Sequence, residues 1–530
     1  MTIRDVHISL MSIATAILLF ALLILLAYGY NLITFPYDYD QGEGFELVDT
    51  IMFSEFRYPY QNTDSYPYYS SNYPPLYHVL AVPFVWLFGA GYWYGRLLSL
   101  IATLFGALAI FYVVNREGEH RWLAGLSALA FLSSNTVYHI APLFRQHIMM
   151  VMFEIIAVVI LARAVPRQQN KSILLGLLLI IIAGYTKQLA TFTAIAVLAW
   201  MVLRNPHHAI IWITRFVLAG GAIFLWLTID TNGEWWRQAI VANVNQFNPF
   251  QTFGLTALWL RLHLLLIVPA VLMVLYELYF ERLSLYSVWF VVTTVFGAFG
   301  SGTWGAGDSY FATSIAAMCI LSGIFFTKLI QHDWSRVVET RYRRWWSQLQ
   351  LPQTVIVQGA LVIIPLLYIG YGVMTFKMPT DGWLFGTVAT VLNVEPNVMG
   401  RHYDSAGYRV EGYANIGHFV TAEDHTNGDY IVERINQTDT PVMSEEAGFS
   451  LAAGRDVITN PTQLRNLWLN GMWNGDELIA DIDDQIFGLI IFRAQFYPVP
   501  VLEAVGEHYV IDETVRLNGF EYQLLRPIDQ

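Results

Sequence analysis

ISLMSIATAILLFALLILLAYGY, residues 8–30, runs 23 residues without a charge, and shortly afterwards the chain reads Tyr37-Asp-Tyr-Asp-Gln-Gly-Glu-Gly-Phe-Glu46. About 20 apolar residues cross a hydrocarbon core about 30 Å thick, so 8–30 is predicted to span a membrane. A secretory leader has a shorter apolar core and a small-residue cleavage site. Asn31-Leu-Ile-Thr-Phe-Pro36 offers no such site, and the segment reads as a retained first span. The acidic run behind it then lies at the edge of a bilayer, where charge is costly unless paired or hydrated.

Composition extends this reading to the rest of the chain. Of 530 residues, 55% are hydrophobic and 13% charged, and the mean hydropathy is +0.45. Soluble domains carry roughly a quarter charged residues, which excludes an ordinary cytosolic enzyme and a disordered scaffold. One cysteine, Cys319, excludes a disulfide framework and a cysteine-based metal site. The net charge of −12 is uneven: from Thr375 onward 23 acids face 9 bases, and the preceding residues hold 18 acids and 20 bases. A basic footprint for nucleic acid is lacking.

Further spans are predicted at 94–114, 122–140, 147–165, 173–185, 189–203, 209–228, 259–280, 286–302, 311–330 and 355–374. The apolar segment 75–88 is short and carries Pro75 and Pro83 beside Pro74. Its 14 residues reach about 21 Å at 1.5 Å per residue, so it is read as an interfacial helix, leaving eleven spans. That count also puts three basic loops on the cytoplasmic side, as the positive-inside rule requires. They are Arg163/Arg167/Lys171, Arg204 with Arg215, and Lys328/Arg336/Arg341/Arg343/Arg344. The first outer loop (31–93), the turns at Arg145 and Lys187, the segment 301–308 and the acidic tail then share the extracytoplasmic face. The expected organisation is a membrane domain over 1–378 and a soluble α/β domain over 379–530. In the tail, 440–444 and 486–492 read as strands, and 430–436 and 464–469 as amphipathic helices.

The first loop also carries Tyr58-Pro-Tyr60, Tyr66-Pro-Tyr-Tyr69 and Tyr73-Pro-Pro-Leu-Tyr-His78. Such rings sit at headgroup level or stack on sugar faces. Carboxylates near hydrocarbon acquire raised pKa values suited to a general base; the plain alternative is a solvated acidic loop.

Asp40-Gln-Gly-Glu43-Gly after the first span, followed by Tyr73-Pro-Pro-Leu-Tyr77, resembles the opening of polyprenyl-phosphate-dependent glycosyltransferases of the GT-C fold, which include protein O-mannosyltransferases and the aminoarabinose transferase of lipid A. Gly95-Arg96-Leu97, Arg145-Gln-His147, Thr186-Lys187-Gln188, Gly305-Ala-Gly-Asp308-Ser-Tyr310, Ser444-Glu445-Glu446-Ala-Gly448 and Gly454-Arg455 extend the similarity. His147 stands where relatives often show Asp, which leaves open whether that position takes part in chemistry or binds a metal.

The resemblance implies a multi-pass enzyme of the plasma (inner) membrane. It would move a sugar from a polyprenyl-phosphate donor to an extracytoplasmic glycan, lipid or protein. Asp40 is the expected base, with Glu43 beside it in the catalytic pair. Arg145 and Lys187 are the expected phosphate ligands; a snorkelling Arg and a helix-end Lys are the alternatives. Asp38, Tyr73, His78, His147, Trp304 and Asp308 are the further candidates for substrate contact. His78 and His139 also suit interfacial or core positions, Trp304 suits an aromatic belt, and Asp308 a helix cap. Glu154, inside a span, is either a partner for Arg163 or part of a cavity. No cofactor is expected, with Mg²⁺ or Mn²⁺ on Asp40, Glu43 and Asp308 as the alternative. Two other classes compete: a transporter or flippase, and a non-catalytic lipid-binding protein of envelope assembly. The former expects repeated halves and broken helices at midplane, neither of which is legible.

Overall fold

In hydrocarbon only a helix pairs every backbone N–H and C=O within its own segment, and the predicted spans fall on helices. The computed structural model describes residues 2–331, 353–397, 401–407 and 417–528. Arg336, Arg341, Arg343 and Arg344 of the third basic loop lie outside the described residues. The membrane body comprises α1 (Ile3–Ile33), α2 (Glu43–Ser54), α3 (Leu76–Phe88), α4 (Trp93–Gly118), α5 (Arg121–Ser133), α6 (Asn135–Ile140) and α7 (His147–Ala164). It continues through α8 (Asn170–Thr186), α9 (Thr191–Arg204), α10 (Pro206–Asp230), α11 (Pro249–Phe280), α12 (Leu285–Gly300), α13 (Ala312–Gln331) and α14 (Gln353–Met374).

Among the described residues, seven helices are long and apolar enough to cross a membrane: α1, α4, α7, α10, α11, α14, and α13 with the turn before it. The other four predicted spans fall on α5, α8, α9 and α12, which have 13, 17, 14 and 16 residues, or about 20–26 Å of helix. The run 122–140 is two helices, because Ser134 turns extended at ψ 137° and its hydroxyl meets His263 Nε2 at 3.0 Å. Segment 75–88 forms α3, which packs against α2 and leaves Trp86, Leu87 and Phe88 exposed. Helix α13 is the axis of the body. Every residue from Ala312 to Thr327 is buried, and it packs on α4, α5, α7, α11, α12 and α14.

Beyond α14 come β1 (Lys377–Pro379), α15 (Thr387–Leu392) and β2 (His402–Asp404), with β1 and β2 antiparallel. The tail continues through α16 (Ala422–Asn436), β3 (Val442–Ser444), α17 (Ala447–Ala452), α18 (Pro461–Leu469) and α19 (Asp476–Asp483). It ends in β4 (Leu489–Phe492), α20 (Val499–His508), β5 (Tyr509–Leu517) and β6 (Phe520–Pro527). A four-stranded mixed sheet has the order β3-β4-β6-β5, with β3 and β4 parallel and the other pairs antiparallel. The predicted strands 440–444 and 486–492 contain β3 and β4, and the predicted helices lie in α16 and α18. The β5–β6 hairpin was not anticipated, although Asn518-Gly519 marks it. Both residues have positive φ, 51° and 78°, which suits the tight turn whose twist matches paired strands.

The tail rests on the first loop. Asp38 accepts from Gly44 N–H at 2.6 Å, Gly448 N–H at 2.7 Å and the Tyr92 hydroxyl at 2.9 Å. Asn31 and Val420 exchange two further hydrogen bonds.

Candidate active site

The acidic loop is built around one buried ion pair. Arg96, on α4, donates from Nε to Glu43 Oε1 at 2.9 Å and from Nη2 to Oε2 at 2.7 Å. Its remaining N–H groups reach the carbonyls of Leu32, Phe35 and Tyr37. Glu43 also accepts from the backbone N–H of Tyr39, Asp40 and Phe144. Burial raises the Glu43 pKa, but Arg96 and these amides hold it below its ordinary value. Glu43 is thus saturated and turns the chain between α1 and α2, behind the residue that follows Tyr39.

That residue is Asp40. It lines a cleft of about 480 Å³ together with Tyr73, Arg145, His147, Lys187, Trp304 and Asp308. Asp40 Oδ2 lies 3.2 Å from Arg145 Nε, and its Oδ1 has no hydrogen-bond partner. Burial pushes its pKa up to about 6, with Arg145 working against the rise. Arg145 Nη1 reaches Glu46 Oε1 at 3.4 Å, and Nη2 donates to the Tyr73 hydroxyl at 3.4 Å. Gly42 makes room for this guanidinium, since a Cβ there would stand 1.4 Å from Arg145 Nη1. Lys187, in the turn after α8, donates to His147 Nε2 at 2.6 Å and places its ammonium 4.6 Å from the Tyr73 ring centre. Burial, and then Arg145, lowers the Lys187 pKa well below its ordinary value. The Arg145 guanidinium and the Lys187 amine flank one tyrosine at the wall that also holds Asp40, and an anion bound between them would favour the charged form of Lys187.

Asp308 accepts from the Thr136 hydroxyl at 3.0 Å and lies 3.5 Å from His139 Nδ1. His139 Nε2 is 3.3 Å from Asp404 Oδ2, so this cleft histidine bridges two carboxylates. The ring of Trp304 carries the Arg465 guanidinium 4.5 Å from its centre. Three candidates stand outside the cleft. Asp38 ties the loop to the tail, Glu43 pairs with Arg96, and His78 Nε2 meets Glu46 Oε2 at 2.5 Å behind the wall. Glu154 has neither expected role: it accepts from the Thr193 and Thr313 hydroxyls at 2.6 Å each and lines no part of the cleft. No group of three or more His, Cys, Asp or Glu placed to hold a metal occurs among the described residues; Glu43 is committed to Arg96.

Sequence reading missed most of the neutral lining, Asn72, Asn243 and Asn245 with Thr462 and Asn466 from α18, and had Gln188 only as the motif neighbour of Lys187. Isolated amides carry no spacing signal, and the tail helix comes to the cleft only through tertiary docking. Asp49 was also passed over. It accepts from Tyr69 and Ser71, and burial raises its pKa to about 6.

No curated protein matches the chain by sequence. Residues 72–231 match the family model of dolichyl-phosphate-mannose-protein mannosyltransferase. The matched segment contains Tyr73, Arg96, Arg145 and Lys187, and Asp40 precedes it. Among solved structures, ArnT from Cupriavidus metallidurans in the apo state is similar with a TM-score of 0.56 and 12% identity, covering 96% of this chain and 97% of that one. ArnT bound to undecaprenyl phosphate matches with the same values. The oligosaccharyltransferase of Archaeoglobus fulgidus aligns with a TM-score of 0.49 and 13% identity, over 97% of this chain and 74% of that one. The likeness to ArnT is one of fold, and it runs through the helices and the tail alike. The resemblance drawn from the loop motifs is met by the family model and by this fold.

Proposed function

We propose that this chain is a membrane glycosyltransferase that moves a sugar from a polyprenyl-phosphate donor to a hydroxylated acceptor. The observation that carries the proposal is the cleft shared by Asp40, Arg145 and Lys187. An acceptor hydroxyl oxygen bonds to the anomeric carbon from the face opposite the phosphate. The carbon–oxygen bond to phosphate breaks with its electron pair, Asp40 takes the hydroxyl proton, and the configuration inverts. The donor phosphodiester carries one negative charge and the departing polyprenyl phosphate gains another. Preorganised cations in a partly dry site stabilise that developing charge more than the ground state. Arg145 and Lys187 supply it here, and no step is given to a metal ion. Undecaprenyl phosphate bound to a protein of the same fold supports a lipid-phosphate donor.

We further infer an extracytoplasmic site. The cleft residues gather at one end of the helices. Arg116, Arg163, Arg167, Lys171, Arg204 and Lys328 gather at the other, the side that the positive-inside rule makes cytoplasmic. The acidic tail then caps the outer face of a plasma (inner) membrane.

The protein in nanodiscs is expected to bind undecaprenyl phosphate, and Lys187→Ala to weaken that binding about ten- to a hundredfold, as suits loss of a hydrogen bond to a charged group. Equal affinity in the variant removes Lys187 from the phosphate site.

A further inference from the structure

The cleft lining holds two chemically distinct sets of side chains. One presents donors and positive charge, Arg145 and Lys187. The other consists of amides whose nitrogens are already engaged. Asn466 Nδ2 donates to Gln463 Oε1 at 3.1 Å, and Gln463 Nε2 donates to the Gln238 carbonyl at 2.7 Å. This chain of bonds fixes which way both amides face. Asn245 Nδ2 donates to the Trp304 carbonyl at 3.1 Å. In both asparagines the amide oxygen is left without a donor, and Asn466 is 2% exposed. Both residues border the cleft, with Trp304 beside them. A buried acceptor without a partner is costly. Both oxygens are closed to water as the protein stands, and a ligand hydroxyl entering beside them would supply the missing donor.

We propose that Asn245 and Asn466 form a neutral subsite for the hydroxyl groups of a sugar ring, with the tail helix α18 supplying one of the two contacts. This rests on the glycosyltransferase reading and gives the tail a direct part in substrate recognition. An uncharged polyol fits, since the wall offers acceptors and no free cation is needed to hold it. The ring belongs either to the donor sugar or to the acceptor, and the two are separable.

The test uses the full-length protein in nanodiscs, probed with undecaprenyl phosphate and with polyprenyl-phosphate glucose, mannose and galactose. The wild type is expected to bind at least one glycosylated lipid more tightly than the bare phosphate lipid. Asn466→Ala and Asn245→Ala should each erase about three- to tenfold of that preference, as one neutral hydrogen bond is worth, while leaving the bare lipid unaffected. A second arm measures methyl hexosides binding to the protein loaded with undecaprenyl phosphate. Loss there, with donor preference intact, assigns the polyol subsite to the acceptor. Both variants keeping wild-type behaviour in both arms overturns the subsite alone. A wild type that binds none of the lipids overturns the glycosyltransferase reading and the subsite with it. Asn245 lies outside the tail, so its variant decides the matter even if Asn466→Ala disturbs α18.

Discussion

Asp40→Asn is expected to lower sugar transfer by about 10²–10⁴-fold, the range supplied by a positioned general base, with the protein still folded and still binding lipid phosphate. The substitution keeps the shape of the side chain and an oxygen for Arg145, but removes the basic lone pair. Burial sets the wild-type pKa near 6, so the group is a carboxylate above that pH and a neutral acid below it. Wild-type turnover should therefore fall as pH drops through about 6. The residual activity of Asp40→Asn should lack that acid limb. Turnover with a polyprenyl-phosphate sugar, followed from pH 5 to 8, reads both effects. Undiminished transfer by Asp40→Asn, or a limb that survives in it, takes the base role away from Asp40.

Arg96→Met is expected to cost about 3–5 kcal/mol of stability, the loss typical when one partner of a buried ion pair is removed. Arg96 and Glu43 are both fully buried, and the guanidinium also satisfies three carbonyls at the exit of α1. Removing it leaves an uncompensated carboxylate and three unpaired acceptors. Arg96→Lys should recover only part of the loss, because one ammonium cannot serve a forked set of five contacts. The measurement is thermal unfolding in detergent, with Glu43→Gln beside it. On this account Glu43→Gln lowers melting temperature and turnover together, as fits a residue that shapes the loop. A variant that keeps the wild-type melting temperature while losing all turnover would return Glu43 to the catalytic pair.

The helical body was legible because apolar length is a direct physical signal, and so was the acidic loop beside it. Hydropathy did not reveal where a helix breaks without a charge, as at Ser134, whose extended backbone splits one predicted span. Nor did it separate, among the eleven predicted spans, the seven that form helices of full membrane-crossing length from the four that fall on shorter ones. In the site, Asp40, Tyr73, Arg145, His147, Lys187, Trp304 and Asp308 share one cleft. Their common helix end was readable from alternation of the spans. The division of labour among the carboxylates was not readable. Asp38, Asp40 and Glu43 look alike in sequence and differ through what reaches them: Gly448 from the tail, Arg145 from another turn, Arg96 from α4. The asparagines of the cleft were missed for the same reason, since their meaning lies in which amide atoms remain unpaired after folding.

Whether Arg145 and Lys187 hold the donor phosphate while Asp40 faces the sugar is read from a structure of the protein in nanodiscs with an intact polyprenyl-phosphate sugar. Phosphate oxygens are expected within hydrogen-bond distance of Arg145 and Lys187, with an anomeric carbon whose open face is turned toward Asp40. A donor phosphate seated away from both cations, or a sugar held where Asp40 faces only its leaving oxygen, would contradict this arrangement.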